Sequence, residues 1–170
     1  MKTINDAGPD ASRITIRPAR PGDHAAVMPL VRAYYRFDHI RFNPRAIDHA
    51  LDQLLRSRSL GRVWIMCDGS RAVGYLVLTF NFDLEFGGLE GIVTDLFVSA
   101  RYRGYGLGRR ALVIVDDYCR ARRIGMVELQ VEKDNAAALD FYRRIGFRPL
   151  TRIVMAREVR AASRQPSASP

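Results

Sequence analysis

The feature that most constrains this chain is a change of period close to residue 60. Beyond it, the helical period gives way to period-two, β-rich runs over 62–67, 72–82 and 89–98. A period of two marks a strand with one buried face. The breaks between these runs are short. Asp68-Gly69-Ser70 parts the first two and Gly87-Gly88 precedes the third. Turn residues this close together leave no room for a crossover helix, so the runs are expected to pair as an antiparallel meander.

On either side of the meander the helical period returns. Arg13 to Arg17, with Ile14 and Ile16 alternating against polar neighbours, predicts a first strand. Asp23 is placed to cap a helix carrying Val27, Leu30, Val31, Tyr34 and Tyr35 on one face. Pro29 inside it predicts a late start or a kink. Asn43-Pro44 opens a second helix with Ile47, Ala50, Leu51, Leu54 and Leu55 at helical spacing. After the meander come a glycine-rich segment and a helix whose apolar face reads Leu107, Ala111, Ile114, Val115 and Tyr118. Gly125 closes it, 126–131 reads as a strand, and Asn135 caps a short helix reaching Ile145. Residues 147–158 read as closing strands. The order of elements specifies a mixed α/β domain: a mostly antiparallel central sheet flanked by helices. It is expected to span 13–158 as a single domain. The stretches 1–12 and 159–170 are small, polar and Pro-containing, and are expected to carry no fold.

Composition excludes several classes. At 170 residues and 48% hydrophobic the chain suits one core. Its longest clean apolar run, Ala111 to Val115, is far too short for a bilayer, and no signal-peptide pattern opens the chain, so a cytoplasmic protein with no membrane partner is expected. Cys67 and Cys119 stand far apart, and His24, His39 and His49 form no ligand pattern; neither a disulfide framework nor a metal is expected. The net charge of +9 suits polyanionic partners. Lysine occurs only at Lys2 and Lys133, however, and no recognition-helix or aromatic RNA-binding pattern accompanies the arginines. A surface bias toward arginine is therefore favoured over nucleic-acid binding.

The chemistry concentrates in Arg103-Gly104-Tyr105-Gly106-Leu107-Gly108, set between a strand and an amphipathic helix. Glycines let backbone N–H groups approach a ligand, and the following helix start adds unpaired donors and a positive dipole end, which together suit a phosphate or pyrophosphate. Arg101, Arg103, Arg109 and Arg110 surround it. No Gly-Lys-Ser/Thr closes the segment, and Arg109 stands where a dinucleotide-binding third glycine would fall. Taken alone, the segment serves equally as a turn without a ligand.

A second motif lies one strand further on: Asn135, Ala138, Tyr142, Gly146 and Phe147, in the pattern Asn-x-x-Ala-x-x-x-Tyr-x-x-x-Gly-Phe. Together with Arg-x-x-Gly-x-Gly at 103–108 it resembles the GCN5-related N-acetyltransferases (GNAT), over about residues 13–158. The resemblance implies a sheet whose strands splay to form a cleft for acetyl-CoA as co-substrate, with no metal. It implies that the backbone at Leu96, Phe97 and Val98 meets the pantetheine arm, and that amides from Arg103 through Gly104, Tyr105, Gly106, Leu107 and Gly108 to Arg109 cradle the pyrophosphate. Asn135 would contact the cofactor from across the cleft. Tyr142 would lie beside the sulfur and protonate the leaving thiolate, and Asp95 would relieve the acceptor ammonium of its proton, with Glu90 as the other candidate and Glu85 more remote.

In the diamine and polyamine acetyltransferase-like subgroup two acids commonly precede the Leu-aromatic-Val run. Here the sequence is Thr94-Asp95-Leu96-Phe97-Val98, and strand alternation puts Thr94 and Asp95 on opposite faces. Tyr34, Asp38, Phe82 and Glu90 are candidates for the acceptor pocket, since aromatics beside acids suit a cationic amine. The acceptor is read as a small amine or a peptide amine, and a homodimer is possible. Other readings are a charged-tRNA-directed acetyltransferase, a non-catalytic acyl-CoA-binding module on the same fold and, less compatible with the loop spacing, a dinucleotide-dependent oxidoreductase.

Overall fold

The computed structural model describes residues 8–159. Its chain forms two compact units, one up to Glu132 and one from Lys133 onward. The first contains β1 (Ile14–Pro18), α1 (His24–Phe37), α2 (Pro44–Arg56), β2 (Gly61–Asp68), β3 (Arg71–Asp83), β4 (Gly88–Val98), α3 (Leu107–Ala121) and β5 (Val127–Leu129). The strands form one sheet in the order β1-β2-β3-β4-β5. The first three pairings are antiparallel and β4–β5 is parallel. Only the parallel step needs a crossover, and α3 supplies it.

The sheet has an apolar layer on each face. Val63, Ile65, Cys67, Tyr75, Val77 and Phe97 form one core with Val27, Leu30 and Val31 of α1 and Leu51 of α2. Alternation sends Leu76 and Leu78 to the other face, toward the buried Leu107, Ala111, Val115 and Cys119 of α3. Gly91 lies on this face, where a Cβ would stand 3.1 Å from Leu78 Cδ1 and in ordinary contact with Cys119 of α3.

Several expectations change. α1 begins at His24, before Pro29, and runs through it, so the late start is not seen. Asp23 makes no side-chain cap to α1. Its carboxylate instead accepts from Arg17 at 2.6 and 2.8 Å and from the Arg20 amide at 2.8 Å. Asn43 does cap α2, accepting from the Ala46 amide at 3.3 Å. The buried face of α3 includes Leu112 and Cys119, with Ile114 and Tyr118 half-buried at its rim. Residues 11–13 form a short 3-10 turn capped by Asp10, where no fold was expected. The remaining terminal stretches, 1–7 and 160–170, lie outside the described residues.

In the second unit α4 (Ala136–Arg144) is capped by Asn135, whose side chain accepts from the Ala138 amide at 3.1 Å. The closing strands expected over 147–158 are absent there; Ile153, Val154 and Met155 stand exposed. A β-prone sequence alone does not make a strand, which needs a neighbouring ladder to bond with.

Candidate functional site

The site in the first unit grows from an irregularity in β4. Val77 pairs with Asp95 but Leu78 pairs with Val93, which leaves Thr94 as an extra residue. This is a β-bulge, and it interrupts alternation. Val77, Thr79 and Asn81 share one face of β3, so their partners Asp95, Ile92 and Glu90 share that face too. The simple two-residue period across 94–95 therefore does not hold, and the bulge delivers Asp95 to the α1 side.

There Asp95 meets aromatic and acidic company. The Tyr75 hydroxyl donates to its Oδ2 at 2.7 Å. The rings of Tyr34, Tyr75 and Phe97 lie 6.1–6.5 Å apart in every pairing. The Tyr34 hydroxyl donates to Asp38 Oδ2 at 3.4 Å, one helical turn along α1. Burial pushes the Asp95 carboxyl above the usual range, and the Asp38 charge adds to that; hydrogen bonds from Tyr75 and Thr94 pull the other way. Burial also pushes the Tyr75 phenol far up, and the neighbouring Asp95 carboxylate reinforces it.

Beside the bulge the sheet opens. β5 follows β4 only from Gly91–Val127 to Val93–Leu129. Past Val93, the stretch containing Leu96, Phe97 and Val98 is paired with β3 alone. A cavity of about 150 Å³ lined by Ile92, Val93, Thr94 and Gln130 sits where the two strands part. The splay expected of this fold is thus present in the ladder itself.

The glycine segment follows β4. Gly104 and Gly106 have φ of 84° and 75°, and Gly106 is the N-cap of α3. A Cβ on either would meet nothing within 4 Å, so backbone conformation, not crowding, calls for glycine at both. The face they leave is open. The first helical bond runs from the Arg110 amide to Gly106 O at 3.0 Å, so the amides of Leu107, Gly108 and Arg109 are first-turn donors that no helical carbonyl reaches. The segment contains no acidic residue, and Arg101, Arg103 and Arg109 are exposed. An anionic group of pyrophosphate size suits this arrangement. Tyr105 is 42% exposed in the same loop. Arg110 is otherwise engaged, donating to Ala11 O and Ile14 O at 2.7 Å each.

The acceptor candidates divide. Tyr34 and Asp38 join the Asp95 group, whereas Phe82, 68% exposed, and Glu90 lie toward the other end of β4. About 15 Å of strand separates Glu90 from Asp95. Glu90 is nonetheless unusual: only 3% exposed, it accepts from Asn81 Nδ2 at 3.2 Å through Oε2, while its Oε1 has no partner among the described residues. In the second unit, Tyr142 lies on α4 with its ring against Phe141 and Phe147, at 5.1 and 5.6 Å. Asn135 has spent its side-chain oxygen on capping α4.

Sequence reasoning missed Tyr75, which orients Asp95, and the bulge at Thr94. A tyrosine inside an apolar strand run was the available signal for the first. The bulge carries no glycine to mark it.

Comparisons with known proteins agree with this geometry. A family profile described as the acetyltransferase (GNAT) family matches residues 25–147. An uncharacterized N-acetyltransferase of Methanocaldococcus jannaschii is 25% identical over 117 residues, covering 68% of this chain and 52% of that protein. The N-alpha-acetyltransferase RimI of Mycobacterium tuberculosis is 45% identical over 55 residues, 32% of this chain and 33% of its own length. The matches thus span about half or less of these relatives. Among solved structures, an integron cassette protein from the mobile metagenome of Cole Harbour Salt Marsh superposes with a TM-score of 0.77 at 30% identity, over 89% of this chain and 93% of its own. With the splayed strands, the glycine loop and a profile matching most of its length, the chain belongs to the acetyltransferase (GNAT) family.

Proposed function

We propose that this chain is an acetyl-CoA-dependent N-acetyltransferase whose domain runs over 13–158 and which acts in the cytoplasm on a small amine or a peptide amine. The observation that carries this reading is the loop from Arg103 to Arg109. Its open glycine faces, first-turn amides that no helical carbonyl reaches and lack of any acid fit the pyrophosphate of acetyl-CoA. The unpaired edge of β4 at Leu96–Val98 suits the amide-bearing pantetheine arm.

An acceptor amine of pKa near 10 is protonated at pH 7, and freeing its lone pair costs roughly 4 kcal/mol. Asp95 takes that proton. A carboxyl pushed up by burial holds a proton better than an ordinary one, which suits a base. As the carbon–nitrogen bond forms and the carbon–sulfur bond breaks, Tyr142 gives its proton to the thiolate. Tyr34 and Asp38 line the acceptor side beside Asp95. The partial match to RimI, named for N-alpha acetylation, supports a peptide amine as acceptor.

Glu90 is favoured as the base in a second reading by its orphan buried Oε1. A buried carboxylate with one oxygen unpaired is costly to keep unless something else uses it.

The test is binding. Saturating acetyl-CoA should raise the melting temperature by mass action, by an amount set by its concentration over Kd. Gly106→Asp, which puts a charged side chain at φ 75° where the anion would lie, should abolish the shift. A wild-type protein that shows neither a shift nor heat in calorimetry overturns the reading.

A further inference from the structure

The side chain of Arg103 does something that the loop's backbone does not require. Its Nε donates to Val98 O, the carbonyl of the last residue of β4, at 2.8 Å. Its guanidinium lies 4.2 Å from the ring centroid of Phe37, the last residue of α1, and 5.6 Å from that of Phe97. Phe97 is core, but Phe37 is 54% exposed, a large apolar side chain left in solvent with its face covered by one cation. The three contacts belong to three different places: the end of β4, the end of α1 and the sheet's interior. One planar, five-donor group reaches all of them, which an ammonium could not do.

From this we infer that Arg103 is a positioning residue, a strut that fixes the start of the glycine loop against α1, and that Phe37 is its seat. The inference rests on the loop being the acetyl-CoA site. Under it Phe37 sets the affinity for acetyl-CoA without touching it, because a loop held in its binding conformation pays less ordering cost when the ligand arrives. The same contact ties the loop to the helix that carries Tyr34 and ends at the C-cap Asp38, so the two halves of the site share a support.

Isothermal calorimetry of acetyl-CoA with the full chain tests this. Phe37→Leu keeps apolar bulk and removes the ring; it should weaken binding about threefold, from the size of an exposed cation–π contact, with no change in melting temperature. Phe37→Tyr keeps a ring and should bind like wild type. Arg103→Lys keeps the charge but cannot donate from the Nε position, and should bind nearly as weakly as Arg103→Ala. In the double variant Phe37→Leu/Arg103→Ala the losses should not add, because each removes the same contact. Wild-type affinity in Phe37→Leu, full rescue by Arg103→Lys, or additive losses would each overturn the strut. Failure of wild type to bind acetyl-CoA at all would instead overturn the proposed function.

Discussion

Asp95 is held as a carboxylate where its own charge is poorly solvated, and pH should reveal that cost. Because burial raises its pKa, the native state binds the proton more tightly than the unfolded chain. Stability is then greatest below the ordinary Asp pKa of about 4 and falls as pH rises through the native value. Asp95→Asn removes the titration while keeping an acceptor for Tyr75. Its melting temperature should exceed wild type at pH 7, and the gap should close toward pH 4. Its turnover should fall about 10²-fold, most steeply below the pH at which the amine deprotonates unaided. An unchanged pH–rate profile would remove Asp95 from catalysis and promote Glu90. At Tyr142 the ring packs between Phe141 and Phe147, and Tyr142→Phe keeps that packing. If the hydroxyl is the acid, kcat should drop about 10²-fold with acetyl-CoA affinity intact. Normal turnover in this variant would make Tyr142 a packing residue.

Among the elements, β4 carries the bulge that sets the register. Deleting Thr94 removes the extra residue and leaves Val93 and Asp95 consecutive, opposite Leu78 and Val77. Every following side chain then keeps its face, and Asp95 still points to the α1 side in a regular ladder. The variant loses only the Thr94 hydrogen bond to Asp95, so it should fold and retain measurable transfer. A deletion variant that folds but is inactive would mean that the distortion of the bulge, and not only its register, places Asp95. The meander, the α2 start at Asn43-Pro44 and the glycine loop were legible because local turn and cap chemistry dictates them. The bulge was not, because no residue at 94 announces it. The face of α3 was read partly around the wrong residues: Tyr118 looks apolar in a pattern, but its hydroxyl accepts from Arg62 Nε at 3.2 Å and its ring stacks on Phe80 at the rim. Residues 147–158 read as closing strands but have no ladder to join. Asp23 looked like a cap but found stronger donors in Arg17 and Arg20, which hold its carboxyl down to about 2.

Across the first unit several arginines are put to structural use. Arg110 clamps the chain around β1 through two carbonyls, Arg17 forks onto Asp23, and Arg32, Arg62 and Arg122 cover aromatic faces. These are tasks for a planar guanidinium, and lysine would perform them poorly. That gives these arginines a role in the fold. The glycine loop has a different kind of consequence. If it binds acetyl-CoA as proposed, its ligand-facing groups are main-chain amides, and those are the same whatever side chains stand beside them. In a saturation library scored for activity, Tyr105, Leu107 and Arg109 offer no amide that a substitution can delete, proline apart. Gly104 and Gly106 are fixed by their φ. A lineage of such chains can therefore exchange the surface around the loop, and with it the acceptor, while the grip on the donor is inherited unchanged.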